Sequence, residues 1–287
     1  MPKRNAPLLN PQPTTRNPQP ATRNPQPVEP KKALGQHFLT DPSYCRKIVE
    51  YAGIQAGDVV VEIGPGTGRL TELLLENAGR VVAVEFDRDM VAALEARFSA
   101  VIPDRLSLVQ ADVLQFDWPA LPISGRFKLV GNLPYNISTR ILRKTIEAKD
   151  RMELFAFMVQ KEVAERVRAV PGSRDYGYFS VLMDYHFERR SGFDVPPGAF
   201  SPRPKVMSHV MMLIPKQPAD PVPDLEAFER LLSSSFAHPR KTLWNNLTSA
   251  GYPSERLKEV FAAASIDSKA RPSNVKVSQY ACLSRML

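Results

Sequence analysis

Asp58-Val59-Val60-Val61-Glu62-Ile63-Gly64-Pro65-Gly66-Thr67-Gly68 is the stretch on which the fold turns. A short apolar run ends in a glycine-rich segment, and Arg69–Asn77 follows with helical spacing, its leucines at 70, 73 and 74. The pattern reads as strand, tight turn and helix start. Glycines at such a turn let the backbone approach a ligand at the carboxyl end of the strand.

The same alternation continues outward. Arg80–Val84 is a second apolar strand ending at Glu85, and Met90–Phe98 is a helix. Leu106–Val109 and Phe127–Val130 are further strands, Thr139–Ala148 is a helix, and Met152–Val159 is another buried strand. Strands alternating with helices predict an α/β fold: a Rossmann-like parallel sheet covered on both faces. After Pro215 the pattern changes. Leu225–Ala237, Arg240–Ala250 and Ser254–Ala264 read as consecutive helices, with Pro239 and Gly251 as breaks. Pro215–Pro223 is a candidate linker. The chain therefore divides into a Pro-rich basic tail (1–30), an α/β domain (31–214) and a small all-helical domain (215–287).

In the tail, Asn-Pro-Gln-Pro recurs at Asn10, Asn17 and Asn24. Repeated prolines remove backbone donors, so a disordered or polyproline-like solubilising segment is expected, with Arg16 and Arg23 available to an RNA. Charge is unevenly spread. The net +8 divides into +5 over residues 1–32, −2 over 33–200 and +5 over 201–287. A polyanion gripped by the ends and worked on by the middle would suit this, as would ordinary solvated surfaces. No run of 18 apolar residues occurs, so no membrane span is expected. The N-terminus lacks an apolar signal segment. Cys45 and Cys282 are the only cysteines, and His186, His209 and His238 show no metal-ligand spacing. These features predict a cytoplasmic, monomeric protein without disulfide, metal or membrane.

The glycine loop has an acidic partner. Glu85, at the end of the next strand, can accept both hydroxyls of a ribose, and Asp112, after the third, can meet an adenine amino group. The glycines at 64, 66 and 68 are spaced G-x-G-x-G, whereas a dinucleotide fingerprint is G-x-G-x-x-G. Glu62 would add a negative charge unfavourable to pyrophosphate and suited to a sulfonium. Loop, Glu85 and Asp112 at consecutive strand ends favour S-adenosylmethionine over a dinucleotide.

Asn132-Leu133-Pro134-Tyr135 follows the strand Phe127–Val130, at the ligand-binding edge of an open α/β sheet. An exocyclic adenine amine is a weak nucleophile because its lone pair is delocalised. The Asn132 side-chain carbonyl and the Leu133 backbone carbonyl can take its hydrogens and stabilise the positive charge that develops on attack. Pro134 fixes the turn, and Tyr135 offers a stacking face for an extruded base. Alone, the tetrapeptide is an ordinary Asn-Pro turn with a core Tyr; its place after the cofactor motifs favours chemistry.

Four blocks resemble the ribosomal RNA adenine dimethyltransferase family, which also includes the erythromycin-resistance methylases and a mitochondrial transcription factor. They are Gly35-Gln36-His37-Phe38-Leu39, the loop from Glu62 to Gly68, Asn132 through Ser138, and Phe200-Ser201-Pro202-Arg203-Pro204-Lys205-Val206 with Ser208. The resemblance covers about residues 31–214 and implies a class I S-adenosylmethionine-dependent methyltransferase. It implies that His37 and Leu39 contact the donor, with Gly64, Gly66, Glu85, Asp112 and Asn132. Many members carry Asn at the position of His37. Phe200 would be a second aromatic wall for the base, although read alone it is a core Phe. Arg203, Lys205, Arg240 and Lys241 would contact RNA, although read alone Arg240 and Lys241 are a basic helix start facing solvent. The stretch Arg271-Pro-Ser-Asn-Val matches the family's acidic version only loosely.

The family implies dimethylation of two adjacent adenosines in a hairpin loop near the 3′ end of 16S ribosomal RNA, within the immature small subunit. A large-subunit resistance methylase and a non-catalytic assembly or transcription factor of the same fold are the alternatives. The intact Asn-Leu-Pro-Tyr argues against loss of catalysis. Lys161, Glu162 and Arg166 read as a helical charge cluster, and Met211, Met212 and Leu213 as a core strand.

Overall fold

Valines at 59, 60 and 61 favour extended backbone because branching at Cβ crowds a helix, and they form β2 (Val59–Ile63). Its neighbours are β3 (Arg80–Glu85), β4 (Leu106–Gln110), β5 (Phe127–Asn132) and β6 (Met152–Gln160). A computed structural model describes residues 35–118, 121 and 123–287. The proline-rich tail expected over 1–30, with Arg16 and Arg23, lies outside the described residues.

The main sheet has seven strands in the order β4-β3-β2-β5-β6-β9-β7, where β7 is Phe187–Val195 and β9 is Ser208–Pro215. The first five run parallel, in register Ile63 beside Val84 and Gly131, and Glu85 beside Gln110. Glu85, Asn132 and the start of the glycine loop therefore share one edge. Beyond β6 the expectation of a purely parallel sheet is corrected: β9 pairs antiparallel with both β6 and β7. The connection from β7 to β9 contains no crossover helix, and a short return reverses the strand.

Alternate residues of the strands feed opposite cores. Val61, Ile63, Val82, Val84 and Leu129 pack on one face, and Val60, Val81, Ala83 and Val130 on the other. Helices cover both: α1 (Pro42–Tyr51), α2 (Arg69–Asn77), α3 (Arg88–Arg97), α4 (Ser138–Lys144), α5 (Lys161–Arg168) and α6 (Tyr178–His186). Asp41 caps α1, accepting from the Ser43 backbone N–H at 2.9 Å, and Asp87 caps α3 through Asp89 at 3.1 Å.

The C-terminal helices are α7 (Leu225–Ser235), α8 (Leu243–Ser249), α9 (Ser254–Ala263) and α10 (Val277–Met286). Helix α8 starts at Leu243 rather than Arg240, because Thr242 is its cap, accepting from the Asn245 N–H at 3.1 Å. Pro239 and Arg240 form the turn before it. The core of these helices also takes Tyr176, Val181 and Tyr185 from the other side of residue 215. Arg143 of α4 pairs with Glu229 of α7, which also accepts from the Tyr178 hydroxyl at 3.0 Å. Among the described residues no helix is long and apolar enough to cross a membrane.

Candidate active site

The glycine loop leaves β2 with Gly64, Gly66 and Gly68 all at positive φ (67°, 53° and 79°). L-residues pay a steric penalty in that region, so the turn selects glycine. Gly66 has a second reason, since a Cβ built there would lie 2.8 Å from Cδ1 of Phe38. Below the loop opens a cavity of about 280 Å³. Its wall takes residues from five places: Gly35–Phe38, the loop, the end of β3, the segment after β4, and the end of β5 with α4.

At the end of β3, Glu85 is buried. Its Oε1 accepts from the Asp87 backbone N–H at 2.9 Å and its Oε2 from the Gly66 N–H at 3.3 Å. Burial pushes the carboxyl above its ordinary value, partly offset by these donors. Asp112 also lines the cavity, and its two oxygens accept from the Leu114 N–H at 2.9 Å and from the Gln115 amide at 3.3 Å.

Asn132 ends β5. Its Nδ2 donates to the His37 carbonyl at 2.8 Å. That bond fixes the amide so that its oxygen is the end left to accept a further donor. Leu133 follows, its N–H tied to the Met158 carbonyl at 3.0 Å. Pro134 and Tyr135 line the same cavity. The Tyr135 ring stacks on His37 with centroids 5.1 Å apart and planes 28° from parallel, and its hydroxyl lies 2.5 Å from Ser208 Oγ. His37 in turn reaches the Pro202 carbonyl through Nδ1 at 2.8 Å.

A two-stranded ribbon explains how distant blocks meet. β1 (Phe38–Leu39) pairs antiparallel with β8 (Phe200–Ser201), with Leu39 opposite Phe200. His37, Gly64, Gly66, Glu85, Asp112, Asn132, Leu133, Pro134 and Tyr135 thus come together around one cavity. Leu39 lies beside it, in a cleft with Glu62 and Arg69. Phe200 is not brought to the cavity wall: it is 4% exposed and packs in the apolar core beside Leu39. Arg203 and Lys205 are exposed on the turn that follows Phe200. Arg240 and Lys241 are exposed on the turn before α8.

One expectation is corrected. Glu62 lies under the loop at 1% exposure, accepting from the Thr71 hydroxyl at 2.6 Å. Burial pushes its carboxyl up to about 8, so at neutral pH it is mostly protonated and brings little charge against a pyrophosphate. Glycine spacing carries that discrimination without it.

Sequence reading missed several lining residues. Phe86 directly follows Glu85 and stays 59% exposed while lining the cavity. A bulky apolar residue just past an acidic strand end is a signal that could have been read. Ile137, Arg140 and Ile141, on the turn and first turns of α4, had no such signal.

The sequence pattern of the family described as ribosomal RNA adenine dimethylase matches residues 28–287. A protein of Aromatoleum aromaticum described as ribosomal RNA small subunit methyltransferase A is 41% identical over 260 residues, covering 90% of this chain and 94% of its own. One of the same description from Magnetococcus marinus is 44% identical over 262 residues, covering 89% and 91%. Among solved structures, a dimethyladenosine transferase from Plasmodium falciparum superposes with TM-score 0.71 at 25% identity, over 86% of this chain and 96% of that one. The 23S rRNA methyltransferase ErmE gives 0.65 at 27% identity, over 87% and 99%.

Proposed function

The chain belongs to the ribosomal RNA adenine dimethylase family, and from that premise we propose that it transfers methyl groups from S-adenosylmethionine to N6 of two adjacent adenosines. The adenosines lie in a hairpin loop near the 3′ end of 16S ribosomal RNA. The substrate is the immature small subunit, and the reaction is cytoplasmic. The alternative of a large-subunit methylase has less support: the likeness to ErmE is 27% identity, against 41% and 44% for the small-subunit methyltransferases.

The observation that carries the reading is the convergence of Glu85, Asp112 and Asn132 on one cavity at one sheet edge. The residues present fit the methyl donor. Gly66 has no Cβ, so the Phe38 ring of the cavity wall packs directly against its backbone, and a buried carboxyl stands at the strand end beside it. Gly64 and Gly66 would let the donor approach the loop, Glu85 would accept from its ribose hydroxyls and Asp112 from its adenine amine. His37 and Leu39 would close the side toward β1. When bound, S-adenosylmethionine supplies an electrophilic methyl on a sulfonium.

The target base stacks on Tyr135, already held by His37 on one side and Ser208 on the other. The Asn132 oxygen and the Leu133 carbonyl accept the two hydrogens of the amine, which turns its lone pair toward the methyl. The same oxygens would stabilise the positive charge that passes to the nitrogen as it takes the methyl and the donor leaves as a neutral thioether. The methylated ammonium is acidic and loses its proton to water, so no strong base is required. A neutral Asn suits both the first and the second transfer. Arg203, Lys205, Arg240 and Lys241 contribute phosphate contacts from exposed turns.

The test is incubation with labelled S-adenosylmethionine and small subunits from cells lacking the modification. N6,N6-dimethyladenosine should appear by mass spectrometry of the RNA. Modification of naked large-subunit RNA, with none on small subunits, would reverse the ranking.

A further inference from the structure

Among the described residues lining the cavity, Arg140 is the single Lys or Arg, and the same lining includes the acidic residues Glu85 and Asp112. It sits on α4, a helix with two other cations whose partners are defined. Arg143 is held by Glu229, and Lys144 pairs with Glu147 at 2.6 Å. Arg140 has no ion pair or side-chain hydrogen bond with any described residue, and it is exposed.

A guanidinium unpaired at the wall of a cavity is free to receive an anion that enters with a ligand. The methyl donor is a poor candidate, because sulfonium and ammonium together outweigh its carboxylate and a nearby cation disfavours it. The cleft on the glycine-loop side of the cavity, lined by Leu39, Glu62 and Thr67, already has a guanidinium of its own, Arg69, which could take a donor carboxylate. Arg140 lies apart from that cleft, on the turn of α4 that carries Ile137 and Ile141. The purine that enters is neutral. The anion that arrives with it is its own phosphodiester, and a guanidinium fork matches phosphate oxygens bidentately.

We propose that Arg140 binds a backbone phosphate beside the extruded adenosine and so sets the register in which the base reaches Asn132. This rests on the RNA-methylating reading of the site. The contact is independent of base identity and comes from the cavity wall, apart from the exposed turns at 203–205 and 240–241.

The experiment measures binding of a fluorescent RNA hairpin with two adjacent loop adenosines, over a series of salt concentrations, for wild type, Arg140→Ala and Arg140→Lys. Arg140→Ala should weaken binding about tenfold at moderate salt, the size of one charged hydrogen-bonding contact. The slope of log affinity against log salt should fall by about 0.7, the value for one phosphate on a single strand. Arg140→Lys should recover part of both. Affinity for S-adenosylhomocysteine by calorimetry, and the melting temperature, should stay unchanged. Equal hairpin binding and slope in wild type and Arg140→Ala, or no hairpin binding by wild type, overturns the proposal. So does a loss of S-adenosylhomocysteine affinity in Arg140→Ala, which would give the guanidinium to the donor. Failure of the enzymatic reading is separate: wild type would form no dimethyladenosine on small subunits while the salt slope still changed in Arg140→Ala.

Discussion

The side-chain amide of Asn132 donates to the backbone carbonyl of His37 across 2.8 Å, joining residues 95 positions apart in sequence. One end of the amide is thereby used to hold the first block of the domain, and the other is left for a reacting amine. Asn132→Ala removes both functions. Methyl transfer in single turnover should fall by about 10²–10³, the usual loss for one preorganised polar group in a reaction site. Asn132→Asp should fall at least as far, since it sets a carboxylate oxygen against the His37 carbonyl. The check is labelled-methyl incorporation alongside a melting curve. Near-normal transfer by Asn132→Ala would remove the amide from the chemistry.

Tyr135 separates stacking from hydrogen bonding. Tyr135→Phe loses the hydroxyl that meets Ser208 but keeps the ring against His37, and should retain most of kcat/KM. Tyr135→Ala loses the face on which the base rests and should lower kcat/KM by roughly 10–100-fold, the value of one base–aromatic stack. Equal losses in the two variants would mean the hydroxyl matters and the ring does not.

Glu62 predicts a pH dependence of stability. Its carboxyl stands at about 8 in the folded protein, above its ordinary 4.5. The folded state thus holds a proton that the unfolded state has released, and stability falls as pH rises from about 4.5 to about 8. Without ligand, the melting temperature of wild type should decline across this window. Glu62→Gln keeps an acceptor for Thr71 and should flatten that decline. Parallel curves for the two proteins would contradict the assignment.

Gly66→Ala must place a methyl 2.8 Å from Phe38 at a φ of 53°. The backbone region alone costs about 1–2 kcal/mol. Global stability should drop by at least that amount in urea titrations. Affinity for S-adenosylhomocysteine should drop by more than stability accounts for, because Phe38 is displaced from the cavity wall. Gly125→Ala, at a φ of 79° with open space around its Cβ, should lose stability with no loss of affinity.

The α/β core was legible because its signals are local. Valines 59–61, the glycines at 64, 66 and 68, and Glu85 mark strand, turn and strand end in order along the chain. Arg69–Asn77 reads as a helix with the same bounds in sequence and structure. Antiparallel β9 was not legible, since Met211, Met212 and Leu213 show burial but carry no sign of strand direction. Helix α10 was missed because its signal is tertiary: Tyr280, Ala281 and Leu283 are buried against other helices, while the cap at Lys276 is made by Gln279. Within the site, Glu85 and Asn132 stood at strand ends that spacing alone identifies. Phe200 illustrates the opposite case. Its motif is specific, yet which way the ring faces depends on the pairing with Leu39, a contact between distant parts of the chain.

That pairing has an implication for synthesis. Residues 38–39 emerge early from a translating ribosome, but the strand they pair with, Phe200–Ser201, leaves the exit tunnel only after most of the domain has been made. Since chains fold from the N-terminal end as they emerge, the parallel strands can assemble while the His37 side of the pocket is still without its β8 partner. A nascent chain stalled short of residue 200 would carry the glycine loop, Glu85 and Asn132 without the clasp that completes their enclosure.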